Sequence, residues 1–179
     1  MRSPRRFVPR VHPLAARRLS AYGIDMASYL GIAVATVPIG LLVRRRRPRL
    51  PEAAVHALGA IPPVAATVWA AAAESSAVGA TPGKRRSGLC VRTDRGGRLP
   101  AARSLLRASA KVLVPWLAGH TAAIHAAHLG DRDPDALLWG SGAIAYASMA
   151  TGVLLTVFEP GRPLHDRLCG SQVVEAATD

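Results

Sequence analysis

Two carboxylates stand where charge is hardest to keep. In "RRLSAYGIDM" Asp25 lies inside the start of an apolar run, and Glu74 interrupts a second one. An unpaired charge in hydrocarbon costs ~3 kcal/mol or more, so each carboxylate must be paired, protonated or turned toward a polar cavity. Arg18 shares a helix face with Asp25 but stands ~10.5 Å away along the axis, too far for a pair within the helix. Basic groups elsewhere are Lys84, Arg107, Lys111, His165 and Arg167. Two chemistries follow. Ion pairs would fix helix register and dock the tails. Alternatively, Asp25 and Glu74 at matched depth on antiparallel helices could hold a monovalent cation or exchange it for protons, because like charges raise one another's pKa.

Other constellations are weaker. His120, His125 and His128 cluster in a third run, with His56 and Asp131 expected near the same membrane side. A metal site can be drawn there, but no confirming ligand cluster exists, and interfacial histidines are the ordinary reading, so no metal is expected. Cys90 and Cys169 form neither a disulfide framework nor a CxxC. "TPGK" lacks the second glycine and the Lys-Ser/Thr ending of a P-loop; it reads as a turn that ends the second helix and anchors Lys84 at lipid phosphates. "LHD" has no nucleophile set beside it, so the chain reads as no enzyme, with no catalytic residue and no cofactor.

The elements that must position these groups are membrane helices. Half of the 179 residues are hydrophobic while aromatics are 4%, and the apolar mass is gathered into long runs. The expected fold is all-α, a multi-pass transmembrane helical bundle with about four spans, at residues 21–43, 53–80, 112–129 and 136–158. Pro62 and Pro63 predict a kink in the second. The third is the weakest, being short and carrying three histidines. Arg103, Arg107 and Lys111 at four-residue spacing, with leucines between them, predict an amphipathic interfacial helix over residues 100–111. "GLCV" followed by "TDRGG" predicts a short cytoplasmic hairpin or loop.

The formal net charge is +12, and the basic residues sit in blocks flanking apolar runs, with few aromatics between them for base stacking. That placement excludes nucleic acid and makes the anionic headgroups of a lipid bilayer the expected partner. Four spans put both termini on one side, where 17 of the 23 Lys and Arg fall, against six on the other. The positive-inside rule makes the rich side cytoplasmic. Five of the six lie in "RRRRPR" after the first span, the weak point of this topology.

Three segments together resemble the RDD family of bacterial membrane proteins. "RRLSAYGID" supplies Arg18, Ala21 and Asp25 in an R-x-x-A-x-x-I-D pattern. "TPGKRRSGLCV" is similar to T-x-G-K-x-x-x-G-L-x-V and is followed by the helix holding Arg107. "RPLHDRLCGSQVV" resembles the closing H-D-x-x-x-G-T-x-V, with His165, Asp166 as the second aspartate, and Ser171 in place of threonine. The likeness covers residues 17 to 174 and frames a basic cytoplasmic tail at 1–17, a transmembrane domain at 18–174 and a short tail at 175–179. It implies an integral protein of the bacterial inner membrane. It also implies a role in transporting a small ion or polar solute, cation/proton exchange being suggested for the family.

The expected site is a charge network of Arg18, Asp25, Glu74, Lys84, Arg107, His165 and Asp166, with crossed pairing: Asp25 facing Arg107 or Lys84, and Arg18 facing Asp166. The alternative function is a non-transporting membrane scaffold or assembly partner. A monovalent cation or proton as cargo and a homo-oligomer are the remaining expected partners. The topology is checked by Arg46→Cys in a chain whose Cys90 and Cys169 are serine. A membrane-impermeant maleimide added outside intact cells is expected to label it, and labelling from the cytoplasmic side alone overturns the four-span arrangement.

Overall fold

Prolines and small residues set most of the helix boundaries. The computed structural model describes residues 10–47, 50–129 and 132–177. Helix α1 (Ala15–Arg46) extends the first apolar run at both ends. Helices α2 (Glu52–Gly59) and α3 (Ile61–Glu74) form one kinked stretch, with Ala60 still in the helical region and Pro62 and Pro63 in the first turn of α3, where a missing N–H is harmless. The helix expected to residue 80 stops at Glu74. There the hydroxyls of Ser75 and Ser76 bond back to the carbonyls of Ala72 and Ala73, and Gly79 turns the chain at φ +70°. "TPGK" then opens a short helix, α4 (Pro82–Arg86), instead of closing the preceding one.

The fold is mostly helical, not purely so. Strand β1 (Leu89–Thr93) pairs antiparallel with the C-terminal strand β2 (Ser171–Glu175), Val91 opposite Val173. The local hairpin expected around "TDRGG" amounts to a single bridge between Arg92 and Arg98. A five-residue strand alone cannot order itself in water, and the partner that stabilises this one lies about eighty residues on.

Helix α5 (Ala101–Ala108), a π turn (Ser109–Leu113) and α6 (Val114–Leu129) run on as one helix. At the π turn the Val114 N–H reaches the Ser109 carbonyl five residues back, immediately before Pro115, which has no N–H to give. Of the two basic residues of α5, Arg103 faces outward and Arg107 does not. Arg107 is 1% exposed, whereas Leu105 and Leu106 are 46% and 53% exposed. The charge finds partners inside while the leucines are left for an apolar surround.

Helix α7 (Ala136–Val157) packs along α6 as a helical hairpin and begins at Asp135, whose carboxylate accepts the N–H groups of Leu137 and Leu138 at 3.1 Å. Helix α8 (Leu164–Cys169) ends at Gly170, which takes the left-handed conformation at φ +56° that favours glycine.

Among the described residues three stretches are long and apolar enough to cross a membrane: α1, Glu52–Glu74 and α7. The expected span at 112–129 contains only the 16-residue α6, short of that length on its own. Just 6% of the apolar windows of α1 and α7 is buried within the protein, so Leu30, Val34, Trp139 and Tyr146 need lipid to cover them. What is buried there is small: Ala66, Ala70 and Ala71 of α3 pack against Tyr29 of α1 and against Ala108 and Val112. A second cluster, Ala21, Leu89, Val91, Leu99 and Val173, seats the two-stranded sheet on the start of α1.

Candidate functional site: a buried charge cluster

Six elements meet through one chain of polar contacts. The end of α3 brings Glu74 level with Asp25, α4 lays Lys84 between them, and α5 and α8 supply Arg107 and Asp166. Asp25, Glu74, Lys84, Arg107 and Asp166 are all no more than 4% exposed. Lys84 Nζ lies 2.9 Å from Glu74 Oε1 and 3.4 Å from Asp25 Oδ2. Arg107 Nη1 donates to both Glu74 oxygens at 2.6 Å, and its Nε donates to Asp166 Oδ1 at 2.7 Å. Ser171 Oγ, at the start of β2, donates to the same Asp166 oxygen at 3.0 Å, so the hydroxyl common to serine and threonine is what this position uses.

Asp25 is held chiefly by backbone and hydroxyl. Thr81 Oγ1 donates to Oδ2 at 2.6 Å and the Gly83 N–H donates to Oδ1 at 2.9 Å. Gly83 approaches α1 so closely that a Cβ there would lie 2.1 Å from the Ala21 carbonyl oxygen. Only glycine lets α4 come near enough for its N–H to reach the carboxylate. Thr81, Gly83 and Ser171 were absent from the sequence-based site; Thr81 and Gly83 lie within "TPGK", read from sequence as a turn ending the second helix.

Of the two partners expected for Asp25, Lys84 faces it, while Arg107 meets Glu74 and Asp166; the Arg18–Asp166 half of the crossed pairing is corrected. Arg18 makes no ion pair with Asp166; its Nη1 and Nη2 donate to the carbonyls of Gly161 and Val173 at 2.5 Å, and its buried Nε has no partner among the described residues. The reason is local: the α7–α8 turn and β2 present unpaired carbonyls to Arg18, while α8 carries Asp166 under Arg107. Lys84 does not reach lipid phosphates, because two carboxylates hold it inside. Lys111 has no carboxylate within ion-pair distance among the described residues, and its Nζ stands 5.4 Å over the Tyr22 ring.

The surroundings shift the groups at this polar end. Burial alone would raise the Asp166 carboxyl, but the Arg107 guanidinium overrides it and holds the group below the usual carboxylate range. Burial, then Arg107, pushes the His165 imidazole down to about 3. A cavity of about 60 Å³ is lined by Arg18, Lys84, Arg107, Lys111, His165 and Asp166, so its lining holds more basic side chains than carboxylates even with His165 neutral.

His56, His120 and His125 lie elsewhere. His125 Nε2 is 2.8 Å from Asp135 Oδ2, and the His56 and His120 rings stack edge-on at 6.4 Å. No group of three metal-capable side chains occurs among the described residues, and Asp131 lies outside them.

The model of the RDD family matches residues 12–170. No curated protein and no solved structure matches the chain.

Arg107→Met is expected to lower stability by about 3–5 kcal/mol, since it strands two buried carboxylates. Adding Glu74→Gln and Asp166→Asn should restore part of that loss, read by thermal unfolding in detergent; no restoration would show that Arg107 acts by packing. A second measurement concerns His165, which is protonated near its ordinary 6.5 when unfolded and only near 3 when folded. The unfolded chain binds the extra proton between those values, so this contribution to stability is full above 6.5 and shrinks as pH falls. The melting temperature should drop between pH 7 and 5 for the native chain and stay flatter for His165→Asn.

Proposed function

The chain belongs to the RDD family and is an integral membrane protein, and from the state of its charge cluster we propose that it serves as a non-catalytic, non-transporting scaffold or assembly partner in the bacterial inner membrane. One observation carries this reading: the Lys84 ammonium already fills the place between Asp25 and Glu74 that a transported cation would need. Arg107 satisfies the rest of Glu74, and the adjoining cavity is cationic. A site so compensated ties elements together and repels a cation. The cytoplasmic placement of both termini belongs to the same proposal, supported by the 17 basic residues on that side. So does a fourth crossing by the continuous helix of α5, the π turn and α6, supported by its packing along α7.

A second reading, transport of a small ion by cation/proton exchange, is favoured by the same lysine. A monovalent cation replacing Lys84 between two buried carboxylates would conserve charge if the lysine surrendered its proton. Proteoliposomes separate the two. The scaffold reading expects sodium- and potassium-dependent proton flux no greater than in protein-free vesicles. Flux that is present in the native chain and abolished in Asp25→Asn/Glu74→Gln overturns it in favour of exchange.

A further inference from the structure

The cationic cavity does not stand alone. Arg18, Tyr22, Lys111, Thr156 and His165 line both it and a much larger groove that runs between α1 and the α6–α7 hairpin. The groove has a volume of about 1180 Å³, beyond the ~300–1,000 Å³ usual for small-molecule sites, and its walls are overwhelmingly apolar, with Met26, Leu30, Trp116, Trp139, Met149 and Val153 among them. One continuous space thus has a long apolar body and a compact cationic head.

The charge at that head is only partly neutralised: Asp25, Glu74 and Asp166 stand against Lys84, Arg107, Arg18 and Lys111, and the two cations that touch the carboxylates are Lys84 and Arg107. Among the described residues Lys111 has no carboxylate partner and Arg18 has only carbonyl partners, with Nε unpaired. Two cations that face low-dielectric walls and touch no carboxylate, in a cluster with four cations to three carboxylates, are an unfavourable arrangement that an anion would relieve.

We propose that this groove binds an anionic phospholipid, its phosphate held by Arg18 and Lys111 and its acyl chains lying between α1 and the α6–α7 hairpin. The site is independent of whether the protein scaffolds or transports. Charge complementarity favours this occupant over a helix from a second copy or another protein, which would have to bring an acidic side chain to the same depth. Phosphate on a two-chain lipid brings the anion and enough apolar length to fill the body of the groove, and basic pockets between membrane helices hold such headgroups.

Glycines on α7 allow a test that leaves the fold intact. Gly142 and Gly152 line the groove, and a Cβ at either meets nothing within 4 Å. Gly152→Phe would project a ring from a groove-lining position whose Cβ has open space. Full-length protein in detergent is incubated with phosphatidylglycerol or phosphatidylcholine of the same chains, and retained lipid is counted by native mass spectrometry. Phosphatidylglycerol is expected to be retained preferentially. Lys111→Gln should reduce that preference by about fivefold while leaving phosphatidylcholine retention unchanged. Gly152→Phe should lower retention of both lipids with the melting temperature held. Equal retention of the two lipids by the native chain would overturn the headgroup assignment. Displacement of phosphatidylglycerol by millimolar inorganic phosphate would overturn the acyl-chain part, since the headgroup alone would then account for binding. A native-chain dimer that excludes lipid and is broken by Gly152→Phe would give the groove to a second copy and overturn the proposal.

Discussion

A guanidinium withdrawn from water must find its hydrogen-bond acceptors in protein, and Arg107 finds carboxylates on two different elements. That requirement organises the polar end of the molecule. Glu74 reaches Arg107 only because α3 stops there, and Asp166 reaches it only because α8 is docked beneath α5. Lys84 then extends the chain of contacts to Asp25 on α1, and Ser171 extends it to the strand that completes the sheet. Segments far apart in sequence are held in register by groups that have no other way to be solvated. Buried pairs of this kind are poor sources of net stability and strong sources of uniqueness, since any misregister strands a charge.

The same solvent argument runs in reverse along the rest of the surface. In water α5 would turn Arg107 outward and its leucines inward; here Leu105 and Leu106 face out and the arginine is enclosed. Where helices meet, small residues replace large ones, as with Ala66, Ala70 and Ala71 beneath Tyr29, because close backbone approach does what hydrophobic exclusion does in soluble cores. Gly83 is the extreme case, a position where any side chain would separate α4 from the carboxylate it serves.

Charge balance across the cluster links its structural and binding roles. Its carboxylates are matched within the protein, but Arg18 and Lys111 border an apolar groove without carboxylate partners among the described residues. A network that is closed toward cations is therefore open toward an anion at its edge, where the apolar groove begins.

Sequence alone determined that this is a helical membrane protein and which charged residues would have to be accounted for. Long apolar runs with basic flanks leave few other folds, and Asp25 and Glu74 are costly enough in lipid to announce themselves. The 136–158 run was legible almost to the residue because α7 needs only its own apolar length and the Asp135 cap. Tertiary structure alone decided the pairings. Thr81 and Gly83 matter because α4 packs on α1, β1 is ordered by a strand about eighty residues away, and Arg107 turns inward because Glu74 and Asp166 arrive from other elements. Hydropathy and spacing describe a residue's relation to its own helix and to the solvent; a buried charge is satisfied by whatever the packing of other helices brings within three ångströms.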